Sequence, residues 1–261
     1  MRRAKNTTEG RPVMLGSVYR SAVVTGGSGG IGAAIVRRLA GQGVAVLAVS
    51  PERDKLDQLA GETGAEALCL DIADAAAVGT ALADREIDIL VNCAGVLGPL
   101  SKVHETPPDV MDALAGVNLA GIVNCLRAVT PGMVARDRGH IVNFGSVAGR
   151  YPISGEPVYA ATKAAVHLLT LNLRLDLHGT AIRVSEILPG RVESGMHAEM
   201  VGGDRERAHA EFYDGYQCLQ PADIADAVHY VLSAPGHVDI TQLEIMPTHQ
   251  VMGGASFLRD A

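Results

Sequence analysis

Aromatic residues make up only 3% of the 261 residues and tryptophan is absent, which argues against a pocket built mainly of stacked rings. Cysteine is sparse: Cys69, Cys93, Cys125 and Cys218 stand far apart with no Cys-x-x-Cys pair, so neither a disulfide framework nor a cysteine zinc site is expected. His167, His178 and His197 share no ligand spacing, so no metal is expected either. The net charge is −7 with no long basic run, which removes the electrostatic footprint of nucleic-acid binding. No run reads as a signal peptide or as long enough to span a bilayer, so no membrane partner is expected. Residues 1–20, with Arg2, Arg3, Lys5 and Arg11, read as a flexible basic leader in which Met14 is a second candidate start. Reduced cytoplasm is the compartment these absences favour.

What is present is a chain 48% hydrophobic and 20% charged, apolar enough to bury a large core. Short apolar runs at 21–25, 44–49, 67–70, 87–93, 140–144, 182–187 and 243–246 alternate with helical spacing near 31–40, 75–84, 108–130, 158–178 and 221–233. Strands alternating with helices of this length imply right-handed crossovers and a parallel sheet covered on both faces. The expected fold is therefore α/β, one doubly wound Rossmann-type domain over 21–261. A polar, glycine-containing stretch near 195–217 reads as a mobile flap.

Between the first strand and first helix lies Thr25-Gly26-Gly27-Ser28-Gly29-Gly30-Ile31-Gly32. A pyrophosphate needs backbone N–H groups aimed at it, no Cβ in the way, and a helix N-terminus behind them. Gly26, Gly30 and Gly32 suit those tasks. Further on, Tyr159 and Lys163 are four apart and share one face of a helix. A phenol is a poor base at neutral pH, and a neighbouring ammonium favours its ionised form. Ser146 follows the strand at 140–144 and can hydrogen-bond the same substrate oxygen. Taken alone, a Tyr-x-x-x-Lys is more often a helix surface pair; downstream of the glycine loop and the serine it points to proton transfer during hydride movement.

With these motifs the chain resembles the short-chain dehydrogenase/reductase family over most of 21–246: Thr25-Gly-x-x-x-Gly30-x-Gly32, Asp71-Ile72, Asn92-Cys93-Ala94-Gly95, Asn118, Ser146, Tyr159-x-x-x-Lys163 and Pro189-Gly190. The resemblance implies that Tyr159 is the acid/base, that Lys163 lowers its pKa and binds the nicotinamide ribose, that Ser146 orients the carbonyl, and that Asn118 holds a relay water. It further implies that Ile31 joins the glycine loop, that Asp71 and Ile72 meet the adenine, that Asn92, Ala94 and Gly95 line the cofactor floor, and that Pro189, Gly190, Val192 and Ser194 lie by the carboxamide. Cys93 stands where the family commonly has a second asparagine, and Ser194 where it has threonine.

The end of the second strand reads Val49-Ser50-Pro51-Glu52-Arg53, without the acidic residue that accepts from a ribose 2′-OH at its usual place. Ser28, Ser50 and Arg53 together favour NADP over NAD, with Glu52 counting against. The C-terminal half is similar to the 3-hydroxy acid dehydrogenases, including the serine and malonic semialdehyde group, in 172–180 and 243–247. That likeness implies a small carbonyl or alcohol substrate, with Arg150 or Arg191 as the cation for its carboxylate. A reductase of bulkier apolar carbonyls and a non-catalytic dinucleotide sensor are the alternatives. Val166, Leu168, Leu169 and Leu173 exceed what one sheet covers, so a homodimer or homotetramer is expected.

Overall fold

The computed structural model describes residues 14–251. Seven parallel strands form one sheet: β1 Ser21–Thr25, β2 Ala45–Ser50, β3 Glu66–Cys69, β4 Ile89–Asn92, β5 Gly139–Phe144, β6 Ile182–Pro189 and β7 Gln242–Ile245, in the order β3-β2-β1-β4-β5-β6-β7. Around it lie α1 Gly30–Gly41, α2 Arg53–Thr63, α3 Ala75–Leu82, α4 Pro108–Ala115, α5 Ile122–Arg136, α6 Pro157–Asp176, α7 Arg205–Phe212 and α8 Pro221–Ser233. This is the doubly wound arrangement expected from the alternating pattern.

Alternate residues of each strand feed opposite cores. Ala22, Val24 and Val46 pack with Ile35, Leu39, Ile224 and Val228 of α1 and α8, while Val23 and Leu47 join the layer holding Cys125, Val129, Met133, Val166 and Leu173 of α5 and α6. Burial on both faces is why the strands read as unbroken apolar runs rather than alternations. β1 pairs with β2 on one side and β4 on the other, so the chain reverses its direction of winding between them and leaves a crevice beyond their carboxyl ends.

Three expectations need correction. The leader does not extend to residue 20: residues 1–13 lie outside the described residues, but Leu15 is buried, the Gly16 N–H donates to the Gln42 carbonyl, and Tyr19 packs into the core. Residues 195–217 are not loop throughout, since a 3-10 turn at Met196–Val201 and α7 bury Ala198, Met200, Ala208 and Tyr213 against the cleft. Finally, one helix among the described residues, Pro108–Arg136, is long and apolar enough to cross a membrane. Its apolarity serves the interior here, through Ile122, Cys125, Leu126, Val129 and Met133. A π turn at Gly116–Gly121 separates α4 from α5 within it.

Candidate active site

A cleft of about 1040 Å³ opens beyond the carboxyl ends of the strands. At its dinucleotide end Gly26 turns with φ +68°, and a Cβ there would come within 2.8 Å of the Ala94 Cα. A Cβ on Gly32 would run into the Gly26 carbonyl, so the loop closes only with glycine at both places. α1 begins at Gly30 without a side-chain cap, leaving its first N–H groups for an anionic ligand. Gly26, Ser28, Gly30, Ile31 and Gly32 all line the cleft, so the residues present fit a dinucleotide.

Farther out, Ser28 Oγ lies 2.6 Å from Ser50 Oγ and donates to Glu52 at 2.8 Å. Lys55 also binds Glu52; this hydrogen bond first, and that of Ser28 second, hold the carboxyl below its ordinary range. Arg53, expected here, instead faces Asp57 at 3.8 Å on the exposed side of α2 and does not line the cleft; Lys55 and Arg205 line it instead. Asp71 and Ile72 line the adenine side, with Asp71 Oδ1 accepting from the Ala73 N–H at 2.9 Å. Ala94 and Gly95 form the floor together with Cys93, whereas Asn92 lies beneath it: fully buried, it donates to Asn143 at 2.8 Å and ties β4 to β5. Thr25 Oγ1 accepts from the N–H groups of Cys93 and Ala94, both at 3.1 Å, which fixes the floor to β1. Pro189, Gly190, Val192 and Ser194 line the opposite wall after β6.

At the centre, Ser146 follows β5 and Tyr159 and Lys163 project from one face of α6. All three are buried. Lys163 Nζ donates to the Phe144 carbonyl at 2.9 Å and lies 5.8 Å from the centre of the Tyr159 ring. Desolvation lowers its pKa to about 8, with Cys93 and Glu186 opposing the shift. Burial also pushes the Tyr159 phenol up, against a hydrogen bond with Ser146 that favours the ionised form; Glu156 and Glu199 push the same way as burial. The expected lowering of the phenol by Lys163 is not what dominates, because the ammonium is turned toward the Phe144 carbonyl and burial outweighs the favourable contacts. Asn118 sits in the π turn, fully buried. Its Oδ1 accepts from Val96 N–H at 2.8 Å and its Nδ2 donates to the Val96 carbonyl at 2.9 Å and to Thr162 at 3.2 Å. The carboxamide thus holds the wall of the site.

The substrate end contains Arg191, as expected, with its guanidinium over the Phe212 and Tyr216 rings at 5.8 and 5.7 Å and Nη1 donating to the Phe212 carbonyl at 3.2 Å. Arg150 is elsewhere: it binds Glu244 at 3.2 Å and Gln242 on β7, outside the cleft. Three groups here escaped the sequence reading as site residues. Glu156 precedes α6; Glu199 accepts from the Leu97 and Gly98 N–H groups at 2.7 and 3.2 Å; His197 hydrogen-bonds Tyr213 at 2.8 Å. Burial lowers His197 to about 4 and raises Glu156 to about 7, Arg191 pulling the latter partly back. The one available signal for Glu156 was its place three residues before Tyr159.

A dinucleotide cleft with a buried tyrosine, lysine and serine at its centre has many counterparts among known proteins. The short chain dehydrogenase family model matches residues 20–204. An uncharacterized short-chain type dehydrogenase/reductase of Sinorhizobium fredii is 40% identical over 237 residues, 91% of this chain and 95% of that protein. The NADP-dependent 3-hydroxy acid dehydrogenase YdfG of Escherichia coli K12 is 39% identical over 245 residues, covering 91% of this chain and 98% of its own. The closed form of a serine dehydrogenase complexed with NADP+ superposes with a TM-score of 0.86 at 38% identity, over 92% of this chain and all of the other. On the family match and these relatives together, the chain belongs to the short-chain dehydrogenase family and is an oxidoreductase.

Proposed function

We infer that the protein is an NADP-dependent oxidoreductase of small 3-hydroxy acids or the corresponding semialdehydes. The observation that carries this reading is a guanidinium, Arg191, lining the same cleft as Ser146, Tyr159 and Lys163. The relatives named above support it, being described as a 3-hydroxy acid dehydrogenase and a serine dehydrogenase.

The bound nicotinamide supplies the hydride or accepts it. The chain's own groups handle the rest. Arg191 takes the substrate carboxylate in a charge-assisted pair and fixes which carbon faces the ring. Ser146 donates to the reacting oxygen and Tyr159 exchanges a proton with it: the phenol gives its proton to the forming alkoxide in reduction, and the phenolate takes the alcohol proton in oxidation. Lys163, carried one helical turn away, supports the phenolate and would reach the nicotinamide ribose. Asn118 keeps the wall in place through two hydrogen bonds with Val96 and one to Thr162 on α6. For the cofactor, Ser28, Ser50, Lys55 and Arg205 surround the position of the adenosine ribose and favour a 2′-phosphate, and the Lys55 ammonium offsets the Glu52 charge.

The test is absorbance at 340 nm with NADP or NAD and a panel of 3-hydroxypropionate, 3-hydroxyisobutyrate and serine. Turnover is expected with NADP, and Tyr159→Phe is expected to lower it at least about 100-fold with the far-UV spectrum unchanged. Cofactor binding without turnover of any alcohol would instead identify a dinucleotide sensor. The protein acts in the cytoplasm, consistent with four free cysteines among the described residues. It assembles as a homodimer or homotetramer: although Val166 and Leu173 are buried within the subunit, Leu168, Leu171 and Leu175 remain exposed along α6. Light scattering at micromolar concentration that gives the mass of a single chain would end the oligomer reading.

A further inference from the structure

Beneath α6 and outside the cleft, β6 buries a carboxyl that the reaction described above does not use. Glu186 is fully buried and shares a face of its strand with Val184, which packs in the layer of Val166 and Leu173 of α6. Its Oε2 lies 2.7 Å from His167 Nδ1 and accepts from the Gln242 side chain at 3.3 Å. Its Oε1 has no hydrogen-bond partner among the described residues. That bare oxygen is lodged against Gly145, where a Cβ would run into it. Gly145 in turn separates two groups on which the centre depends, the Phe144 carbonyl that receives Lys163 and the hydroxyl of Ser146. On α6, Tyr159, Lys163 and His167 follow one another at four-residue spacing, and the carboxyl is tied to the last of the row.

A buried carboxyl with one oxygen bare destabilises the fold, and packing alone would be served as well by an apolar side chain such as that of Val184. Its charge acts on Lys163 through space. No bond joins the two, but Cys93 and Glu186 are the groups that oppose the loss of the Lys163 proton. The Cys93 thiol, pushed up to about 12 by burial, is uncharged at neutral pH, which leaves Glu186. We propose that Glu186 is a positioning residue for the hydride transfer: anchored by His167, it presents a carboxyl to the underside of the centre and keeps Lys163 an ammonium directed at Phe144. Neither Glu186 nor His167 lines the cleft, so the effect reaches substrate and cofactor only through Lys163. It goes beyond the choice of substrate and applies to any alcohol or carbonyl turned over. The other ionisable groups nearby are accounted for. Glu156 and Glu199 act on Tyr159 rather than on Lys163, and Arg150 and Glu244 pair with each other at 3.2 Å and reach Glu186 only through Gln242. With the Tyr159 phenol and the Cys93 thiol both pushed up, Lys163 is the one of these three that changes charge between pH 7 and 9.

The chain has four lysines, Lys5, Lys55, Lys102 and Lys163, so the titration of Lys163 can be followed directly by NMR of the full chain carrying isotope-labelled lysine. The resonance missing from Lys163→Met is that of Lys163, and in the wild type its midpoint is expected at about 8. In Glu186→Gln, which keeps the shape and removes the charge, the midpoint should fall by about one pH unit. Glu186→Asp keeps the charge and should stay nearer the wild type. His167→Leu strands the carboxyl, which then takes up a proton, so the midpoint should move the same way by a smaller amount. A quarter of the His167 side chain is exposed, and this variant decides the matter if Glu186→Gln fails to fold. Turnover should follow the charge: kcat of Glu186→Gln falls roughly tenfold while KM stays within about twofold. A Lys163 midpoint that is unmoved or raised in Glu186→Gln, or in His167→Leu where the first does not fold, overturns the proposal even if activity falls, because a merely structural carboxyl would lower activity without moving it. Absence of turnover with every substrate of the panel counts against the hydroxy-acid reading, and the midpoint still decides the role of Glu186.

Discussion

Ionisable groups are buried at both ends of the sheet, but on different terms. At the amino-terminal end, Asp88 accepts from the Arg138 guanidinium at 2.5 Å and from the Arg20 N–H at 2.6 Å, and Arg183 donates to the carbonyls of Ala234, Val238 and Leu232 and to the Tyr19 hydroxyl. His140 hydrogen-bonds Ser185 at 2.8 Å and is kept neutral, its pKa pushed down to about 3 by burial and then by Arg183. At the carboxyl-terminal end, Lys163 has one carbonyl partner and Tyr159 shares a hydrogen bond with Ser146. A group whose partners are complete stabilises one structure. A group whose partners are incomplete is held at a cost, which a bound substrate relieves.

Substituting the two buried cations puts this contrast under test. Lys163→Met should cut turnover roughly 100-fold or more while raising stability by about 1 to 2 kcal/mol, since it removes a desolvated charge with little compensation. Urea unfolding beside the 340 nm assay reads both quantities, and a loss of stability would mean that Lys163 is as well paired as Arg183. Arg183→Met should do the reverse. Stranding its acceptors lowers stability by about 3 kcal/mol, and kcat/KM of the folded fraction stays within about twofold of wild type. If activity falls with stability there, the two ends of the sheet are coupled and the contrast fails.

The same division marks what could be read from the chain. The glycine loop and the Tyr159–Lys163 pair were legible because their geometry is local: a turn with no room for Cβ, and two side chains one helical turn apart. Positions whose role depends on distant partners were not. Arg53 and Arg150 carried the right charge near the right loops, but Asp57 and the β7 edge claim them. Asn92 lies within the expected strand, yet its side chain reaches Asn143 beneath the floor rather than the cleft. Glu199 gains its place by reaching backbone N–H groups about a hundred residues earlier. The short polar helix α7, Arg-Glu-Arg-Ala-His-Ala-Glu-Phe, has almost no apolar stripe, so nothing in its periodicity separated it from a loop.

The π turn at Gly116–Gly121 gives the long helix 108–136 two different phases. Ahead of it, Val110 and Leu114 face the group containing Leu97, Tyr159 and Met200; after it, Ile122, Cys125 and Val129 face the sheet. A regular helix advances about 100° per residue, so the widened turn works as a gear offset that lets one rod meet both surfaces with its apolar side. Deleting a single residue there would set the two halves in step, and either the substrate wall or the core beneath the sheet would then be met by the polar side.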